Sequence, residues 1–130
     1  NDIGGKLIST ISVNSDIGHF NNIIERGCII TSGVVITNDV KVGKGSLVNL
    51  NSTIGHDTII GEFTEICPNV SISGNCKIGD MVFIGTNATI LPNVNIGNNS
   101  VIGAGSVVIK DVPDNVMVIG IPAKIIKSLK

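Results

Sequence analysis

The chain has 130 residues, with ten acidic and nine basic side chains and a formal net charge of −1. It has no basic cluster before its C-terminal end and no apolar run near the roughly 18 residues of a membrane span, which argues against nucleic-acid and membrane partners. Tyr and Trp are absent and Phe occurs three times, so the core must be built from aliphatic residues, as in a narrow wall of β-strands.

The first 23 residues predict an irregular first coil. Ile11 and Ile17 are six residues apart, but the next aliphatic residue of the series, Ile24, follows after seven. The extra residue falls around positions 19–22 and indicates a bulged corner.

Residues 24–110 have a six-residue period that runs through fifteen repeats without a gap. A smaller residue follows each of the first fourteen aliphatic residues at the fourth position, and glycine often follows directly. This period predicts a solenoid in which each hexapeptide makes one short strand, with its aliphatic residue inside and Gly or Asn at the corner. The aliphatic series is Ile24, Ile30, Ile36, Val42, Val48, Ile54, Ile60, Ile66, Ile72, Ile78, Ile84, Ile90, Ile96, Ile102 and Val108.

Three hexapeptides would close one coil of eighteen residues, so the series predicts five coils and the whole chain five to six. At about 4.8 Å per layer, five coils stand roughly 24 Å tall. After Val108 the period ends, and residues 111–130 predict a C-terminal cap of one more strand and a short helical end from Ala123, which together cover the open edge. The predicted fold class is all-β, a parallel β-helix with a short strand and helix cap.

Residues eighteen apart should stack in one column of this solenoid. His56 would therefore stand above Gly74, Pro92 and Lys110. A histidine beside a glycine N–H suits acyl transfer, in which a base takes the proton of the nucleophile and a donor stabilises the oxyanion. His19 would lie two coils away in the same column, but no carboxylate follows it, and we interpret it as structural or close to a missing domain.

Three segments of the sequence carry a resemblance to a known family: Ile54-Gly55-His56-Asp57, Gly103-Ala104-Gly105-Ser106 and Gly120-Ile121-Pro122-Ala123-Lys124. With the hexapeptide rows they resemble the left-handed β-helix acyltransferases, and among these the sialic acid O-acetyltransferase family, which includes bacterial nucleotide-aminosugar N-acetyltransferases. The resemblance implies a left-handed coil and a cytoplasmic bacterial homotrimer with active sites between subunits. It implies transfer of an acetyl group from acetyl-CoA to an amine or hydroxyl of a nucleotide-linked aminosugar or sialic acid, without a metal. It also implies an upstream nucleotide-sugar-binding domain that this sequence lacks.

The resemblance further implies roles for single residues. His56 matches the general base, Asp57 the acidic residue that makes the imidazole more basic, and Gly74 the N–H donor to the oxyanion. Asn49 matches a residue near the acceptor sugar, and Glu65 replaces a second His that touches acetyl-CoA in the aminosugar enzymes. The residues matched to the coenzyme A groove between subunits are Gly85, Thr86, Gly103 and Ala104.

Two features of the tail bear on the cofactor. Ile121 replaces the usual Asn before Pro-Ala, which removes a polar group near acetyl-CoA. The lysines of the C-terminal end either meet the phosphates of coenzyme A or form a solvated polar end; they are Lys110, Lys124, Lys127 and Lys130.

Other functions fit the sequence less well. A zinc carbonic anhydrase on this fold needs three His ligands, and the chain has only His19 and His56. The Gly103-Ala104-Gly105 segment does not open a helix after a strand, so it is not a dinucleotide-binding loop. A non-catalytic scaffold or trimerisation module stays open as the alternative, because a fold does not imply a function.

The three cysteines predict a reduced, cytosolic protein, because their number is odd and their spacing shows no pairing. Cys28 and Cys76 occupy the small inward positions of their hexapeptides and are expected in the core. Cys67 stands in a corner position beside Pro68 and is expected to be partly exposed.

Overall fold

The computed structural model describes residues 3–130 as a solenoid of short β-strands. No helix occurs in this range, and therefore none that is long and apolar enough to cross a membrane. The strands in chain order are β1 (Thr10–Ile11), β2 (Asp16–Ile17), β3 (Ile23–Ile24), β4 (Ile29–Ile30), β5 (Val35–Ile36), β6 (Lys41–Val42), β7 (Leu47–Val48), β8 (Thr53–Ile54), β9 (Ile59–Ile60), β10 (Glu65–Ile66), β11 (Ser71–Ile72), β12 (Lys77–Ile78), β13 (Phe83–Ile84), β14 (Thr89–Ile90), β15 (Asn95–Ile96), β16 (Val101–Ile102), β17 (Val107–Val108), β18 (Val116–Gly120) and β19 (Ala123–Ser128).

The strands form three sheets, which are the three sides of a prism of about six coils. The first sheet has the order β1-β4-β7-β10-β13-β16-β18-β19, the second β2-β5-β8-β11-β14-β17 and the third β3-β6-β9-β12-β15. All pairs are parallel except β18 with β19. Because each strand pairs with the third strand after it, three hexapeptides make one coil, as the sequence predicted.

The register shows where the first coil differs from the others. Ile17 pairs with Ile36, nineteen residues on, whereas Ile24 pairs with Val42, eighteen residues on. The extra residue therefore lies in the corner between β2 and β3. There the side-chain amide of Asn22 donates hydrogen bonds to the carbonyls of Gly18 (2.8 Å) and Thr37 (2.6 Å), which fills the bulge.

The core contains the predicted aliphatic series: from Ile30 to Val108 each member is buried. The smaller residues of the second series are buried too, including those with hydroxyl groups. These hydroxyls donate to carbonyls of the following coil, as from Ser46 to Gly61 (2.8 Å), Ser52 to Cys67 (2.8 Å) and Thr64 to Gly79 (2.8 Å). No buried side-chain nitrogen or oxygen of the described residues lacks a hydrogen-bond partner, so the inward register also satisfies the polar atoms.

The corners require a left-handed backbone at one residue in most hexapeptides. Asn or Asp occupies most of these positions, because their short polar side chains tolerate positive φ. Phe63 (φ 50°) and Met81 (φ 53°) are the exceptions among the non-glycine residues with positive φ.

The C-terminal cap differs from the sequence-based expectation. The strand is present as β18, which pairs in parallel with β16, but the helical end expected from Ala123 is wrong. Residues 123–128 instead form β19, which turns back after Gly120 and pairs antiparallel with β18. The physical reason is that the free edge of β18 offers backbone partners along its whole length, and the β-branched pair Ile125 and Ile126 suits a strand.

Candidate functional site

The site is built on the corner that joins the second sheet to the third, here named the histidine corner. Its central column consists of His19, Asn38, His56, Gly74, Pro92 and Lys110, as the pairing of Ile17, Ile36, Ile54, Ile72, Ile90 and Val108 requires. The eighteen-residue spacing thus places His56 over Gly74, and His19 two coils from His56, as the sequence predicted.

His56 and Asp57 form a hydrogen-bonded pair at this corner. The distance from His56 Nδ1 to Asp57 Oδ2 is 2.8 Å, and both side chains are exposed. A carboxylate can only accept a hydrogen bond, so this contact favours a proton on Nδ1 and leaves the lone pair of Nε2 free. The pair therefore presents an imidazole that is oriented to accept a proton at Nε2.

Gly74 lies directly beneath the imidazole. A Cβ added there would lie 2.7 Å from His56 Nε2 and 2.8 Å from Cε1, so the ring in this position requires a glycine. The Gly74 N–H makes no hydrogen bond within residues 3–130. A free N–H beside an imidazole nitrogen that can accept a proton is the combination that acyl transfer uses.

Gly55 is a member of this site that the sequence analysis did not single out. A Cβ on Gly55 would lie 2.6 Å from the Gly74 nitrogen, so only glycine leaves that N–H accessible from above. Seven glycines follow an aliphatic residue in the repeat, and although Gly55 precedes His56, its sequence position does not show that it keeps the Gly74 N–H accessible. The buried Thr58 hydroxyl, which donates to Ser73 O at 3.2 Å, ties the same two coils together.

The presence of Asp at position 57 has a structural explanation as well as a chemical one. The φ of Asp57 is 58°, and Asp39, Asn75 and Asn93 occupy the same left-handed position in other coils. Asn75 donates through its side chain to Asn93 Oδ1 (2.7 Å), and Asn21 donates to Asp39 Oδ1 (2.8 Å). The Asp57 side chain makes no such contact with another coil within residues 3–130 and bonds to His56 instead.

The residues matched to the acetyl-CoA groove lie at a different corner of the same chain, together with Asn49, which was matched to the acceptor sugar. Asn49, Gly85, Thr86, Gly103 and Ala104 follow strands of the first sheet and lead into the second. In one chain the second sheet separates them from His56. Glu65 is the outward residue of β10 on the first sheet. One chain therefore does not bring His56 together with the residues matched to the groove, whereas Lys110 lies three coils below His56 in the same corner column.

Two of these glycines are required by the stacking of the coils. A Cβ on Gly85 would lie 2.6 Å from the Ala104 nitrogen, and one on Gly103 would lie 2.6 Å from Ile119 Cγ1. The residue type at these positions follows from packing alone. Small side chains there leave the backbone of the corner accessible, but they are not specific to a cofactor.

Lys110 and Lys124 meet at the capped end of the solenoid. Both line a cavity of about 160 Å³, together with Asp111, Val112, Val118, Ala123 and Ile125. The structure thus brings two of the four C-terminal lysines together. Within residues 3–130 no group of three or more His, Cys, Asp or Glu side chains could hold a metal ion.

The cysteines are buried and free in the described part of the chain. Cys28 and Cys76 lie in the core as predicted, but the expectation of partial exposure for Cys67 is wrong, since only 8% of it is accessible. Burial raises the pKa of all three thiols above its ordinary value. The thiolate, which is the nucleophilic form, is therefore disfavoured.

Comparison with known proteins supports the fold and the repeat. Residues 75–110 match the family described as bacterial transferase hexapeptide (six repeats). No curated protein matches the chain significantly.

Several solved structures superimpose closely. A variant of perosamine N-acetyltransferase from Caulobacter crescentus, in complex with CoA and GDP-perosamine, has a TM-score of 0.93 at 30% identity, over 96% of this chain and 59% of that one. The acetyltransferase domain of PglB from Neisseria gonorrhoeae, in complex with acetyl coenzyme A, has a TM-score of 0.91 at 32% identity, over 95% of this chain and 60% of that one. Serine acetyltransferase from Neisseria gonorrhoeae has a TM-score of 0.72 at 37% identity, over 75% of this chain and 41% of that one.

These matches confirm the predicted resemblance: the chain is a hexapeptide-repeat solenoid with the left-handed β-helix fold of these acyltransferases. The chain spans about three fifths of the length of the first two structures. The finer resemblance to sialic acid O-acetyltransferases stays a prediction, as does the cytoplasmic location.

Proposed function

We propose that the protein is an acetyl-CoA-dependent acetyltransferase that modifies an amine or hydroxyl of a nucleotide-linked aminosugar or a sialic acid. One observation carries the proposal: the His56 imidazole is held by Asp57 at Nδ1 and stands over Gly74, whose N–H is free within residues 3–130. The solved structures with similar folds include N-acetyltransferases in complex with CoA and GDP-perosamine.

In the proposed mechanism the acceptor attacks the thioester directly. His56 Nε2 takes the proton of the amine or hydroxyl while the acceptor atom bonds to the carbonyl carbon. The Gly74 N–H donates a hydrogen bond to the carbonyl oxygen as negative charge develops on it. When the carbon–sulfur bond breaks, the imidazolium returns the proton to the departing thiolate, which leaves as coenzyme A. His56 is then neutral again and no acyl-enzyme is formed.

We propose an amine as the first acceptor to test, because the perosamine enzymes are N-acetyltransferases. Asn49 is proposed to contact the acceptor sugar. Gly85, Thr86, Gly103 and Ala104 are proposed to line the acetyl-CoA groove, with Glu65 beside it, and Lys110 and Lys124 are proposed to meet its phosphates. Ammonium groups suit phosphates as compact point charges.

A homotrimer would complete this site. In one chain His56 and the proposed groove are separated by the second sheet, so the groove must come from a neighbour. The first sheet offers an outer column for the contact that is apolar except for Glu65 and Thr10, in which Ile29 is 46% exposed and Phe83 39%. Cyclic symmetry repeats the same contact three times and closes the assembly. Light scattering should give three times the 13.4 kDa of the chain.

A non-catalytic scaffold is the second candidate, and one observation favours it. Gly85 and Gly103 are required by packing, and the left-handed backbone alone accounts for an Asp or Asn at position 57. Activity distinguishes the two candidates, because a scaffold would release no thiol.

The test is release of thiol from acetyl-CoA in the presence of nucleotide-linked 4-aminosugars, GDP-perosamine among them, and of sialic acids. We expect release with at least one 4-aminosugar nucleotide, and none from the His56→Ala variant above the background rate. Release that is equal in the two proteins would remove His56 from the mechanism. No release with any acceptor would favour the scaffold.

A further inference from the structure

The corner that joins the third sheet to the first changes its charge along the solenoid. Its central column consists of Arg26, Lys44, Glu62, Asp80, Asn98 and Asp114. In the lower coils a side-chain oxygen of each residue accepts the N–H of the residue one coil above. These bonds run from Glu62 N to Asp80 Oδ1 (2.7 Å), from Asp80 N to Asn98 Oδ1 (2.8 Å) and from Asn98 N to Asp114 Oδ1 (2.7 Å).

Arg26 and Lys44 cannot take part in this ladder, because their side chains have no acceptor. The Arg26 N–H consequently makes no hydrogen bond within residues 3–130. The N–H of Gly27 makes none either, but at this position in the following coils the N–H points to the coil above, as from Gly45 to Arg26 O (3.1 Å). Two cationic side chains therefore stand in successive coils, with one free backbone donor on the side of Lys44 and a second one on the side of the first coil. We name this surface, made by Arg26, Gly27 and Lys44, the basic corner.

The carboxylate of Glu25, which lies next to Arg26, already has two partners within the protein. Glu25 contacts Lys41 Nζ through Oε1 (3.1 Å) and accepts the Lys44 N–H through Oε2 (2.9 Å). The hydrogen bond from Lys41 is the main reason that the pKa of Glu25 lies below its ordinary value. Glu25 thus balances the charge of Lys41. Glu62, one coil below Lys44, makes no ion pair with it.

Two cavities open on the basic corner and share Lys44 as a wall. One has a volume of about 380 Å³ and is lined by Ile24, Glu25, Arg26 and Lys44. The other has a volume of about 410 Å³ and is lined by Gly5, Lys6, Leu7, Lys44 and Phe63. Lys6, Arg26 and Lys44 form no ion pair with any residue of 3–130. Three unpaired cations therefore face two adjoining cavities.

Phe63 contacts Lys44 across the basic corner. The Lys44 ammonium lies 5.8 Å from the centre of the Phe63 ring, and the ring packs over Gly45. The left-handed φ of Phe63 (50°) is shared by Gly45 and Met81 in the neighbouring coils, so it belongs to the corner and not to this contact. Phe63 therefore contributes an aromatic face beside the cation.

We propose that the basic corner binds the diphosphate group of a nucleotide. Charged donors and backbone N–H groups together make the strongest hydrogen bonds to phosphate oxygens. The proposed site lies one side of the prism away from the histidine corner, so binding of a diphosphate there does not rest on the acetyltransferase activity. The two candidate ligands, a sugar nucleotide and coenzyme A, rest on the proposed function. Coenzyme A bound here would not have its diphosphate at Lys110 and Lys124.

The test is calorimetric titration of the full chain with pyrophosphate at low ionic strength. We expect saturable binding, weakened at least about tenfold by either Arg26→Gln or Lys44→Gln, since each removes a charge-assisted contact. Lys44→Arg keeps the charge and should restore binding. Lys77→Gln, an exposed cation on the third sheet, is the matched control and should bind like the unaltered chain. Thermal melts followed by circular dichroism check that each variant is folded.

Competition identifies the source of the diphosphate. Displacement of pyrophosphate by UDP or GDP indicates a sugar nucleotide, and displacement by coenzyme A indicates the co-substrate. Displacement by neither would overturn the nucleotide assignment. The site itself is overturned if the unaltered chain does not bind pyrophosphate, or if Lys77→Gln weakens binding as much as Lys44→Gln does. His56→Ala should leave pyrophosphate binding unchanged. The diphosphate site and the acetyltransferase activity can therefore be refuted independently.

Discussion

His19 and His56 follow the same dipeptide, Ile-Gly, in the same corner column two coils apart. His56 is followed by Asp57, which bonds to its Nδ1, and stands over Gly74. His19 is followed by Phe20 and stands over Asn38, whose Oδ1 accepts the Phe20 N–H at 3.2 Å. The His19 ring makes no hydrogen bond within residues 3–130.

A shared motif therefore does not assign a role to a histidine in a repeat protein. The repeat supplies the position of the imidazole, and the residue after it and the residue one coil below decide what the imidazole can do. At His56 both neighbours suit a base; at His19 neither does.

The largest expected effect is on the stacking itself. Ile72 is a buried residue of the coil beneath His56, so Ile72→Asp should abolish folding. An unpaired carboxylate in an apolar core costs several kcal/mol, which is comparable to the whole stability of a small domain. Asn75→Asp in the same coil should lose far less stability, because Asn75 is exposed and Asp tolerates its φ of 57°, so that the main loss is the exposed hydrogen bond that Asn75 donates to Asn93 Oδ1. Denaturant titration that finds equal losses for the two variants would show that the inward register is wrong.

The next effect separates the two histidines directly. His56→Ala should lower the turnover number by roughly 10²- to 10⁴-fold, the usual contribution of a positioned general base. His19→Ala is the matched control, and its turnover should stay within about twofold, since His19 lacks both neighbours of a base. The measurement is thiol release at saturating acetyl-CoA. A larger loss for His19→Ala than for His56→Ala would reverse the assignment.

A smaller loss is expected from the residue below the imidazole. Gly74→Ala keeps the N–H but introduces a Cβ that would lie 2.7 Å from His56 Nε2, so the ring must move. Because displacement of a catalytic group by a fraction of an ångström is costly, the turnover number should fall about 10-fold to 10²-fold. Pro92→Ala, one coil lower in the same column and exposed, should have no comparable effect. Equal activity in the Gly74→Ala variant would separate this glycine from the chemistry.

The coil and the C-terminal cap differ in how far they could be predicted from the sequence. The fifteen aliphatic residues determine the coil, the inward register and the stacking of His56 on Gly74, because a fixed period converts spacing into position. The cap could not be predicted in the same way. Ala123 and the two lysines near it suit a helix, but the free edge of β18 recruits them as a strand, and that edge exists only in the folded chain.

Parts of the candidate site also depend on features that exist only in the folded chain. The free N–H of Gly74 and the orientation of Asp57 depend on which backbone groups remain without partners after the coils stack, and no local pattern reports this. Gly85 and Gly103 fit a cofactor groove by residue type, yet packing alone requires them. The corner position of Cys67, where glycine is usual, predicts partial exposure, whereas the coils around it leave only 8% of it accessible.

The neighbour of His56 in sequence gives a further prediction. Asp57→Asn preserves the left-handed corner, since Asn occupies the same position at Asn75 and Asn93. The side-chain amide introduced at position 57 can donate to His56 Nδ1, which favours the tautomer with its proton on Nε2. Nε2 could then no longer take the proton from the amine or hydroxyl that is acetylated. Because Asp57 is exposed and water can replace part of its role, we expect a loss in turnover number of about tenfold.

Asp39→Asn is the matched control for Asp57→Asn. Asp39 lies one coil above in the same column, has the same left-handed φ and bonds to Asn21 instead of a histidine. The turnover number of the Asp39→Asn variant should equal that of the unaltered chain. A loss in the Asp39→Asn variant that equals the loss in Asp57→Asn would mean that the column stabilises the corner and does not orient His56.

The smallest expected effect concerns the thiol nearest to Gly74 in sequence. Cys76 is buried in the core, and burial raises its pKa, so at neutral pH it remains a protonated thiol and a poor nucleophile. Its Sγ lies 3.2 Å from Leu91 O, which accepts the S–H in the interior. Cys76→Ala should therefore keep its turnover number within about twofold, because direct attack on the thioester requires no acyl-enzyme on a cysteine. Mass spectrometry after mixing with acetyl-CoA should find no acetylated Cys76; an acetylated thiol that forms and decays at the rate of turnover would replace the direct mechanism and reduce His56 to a base that activates Cys76.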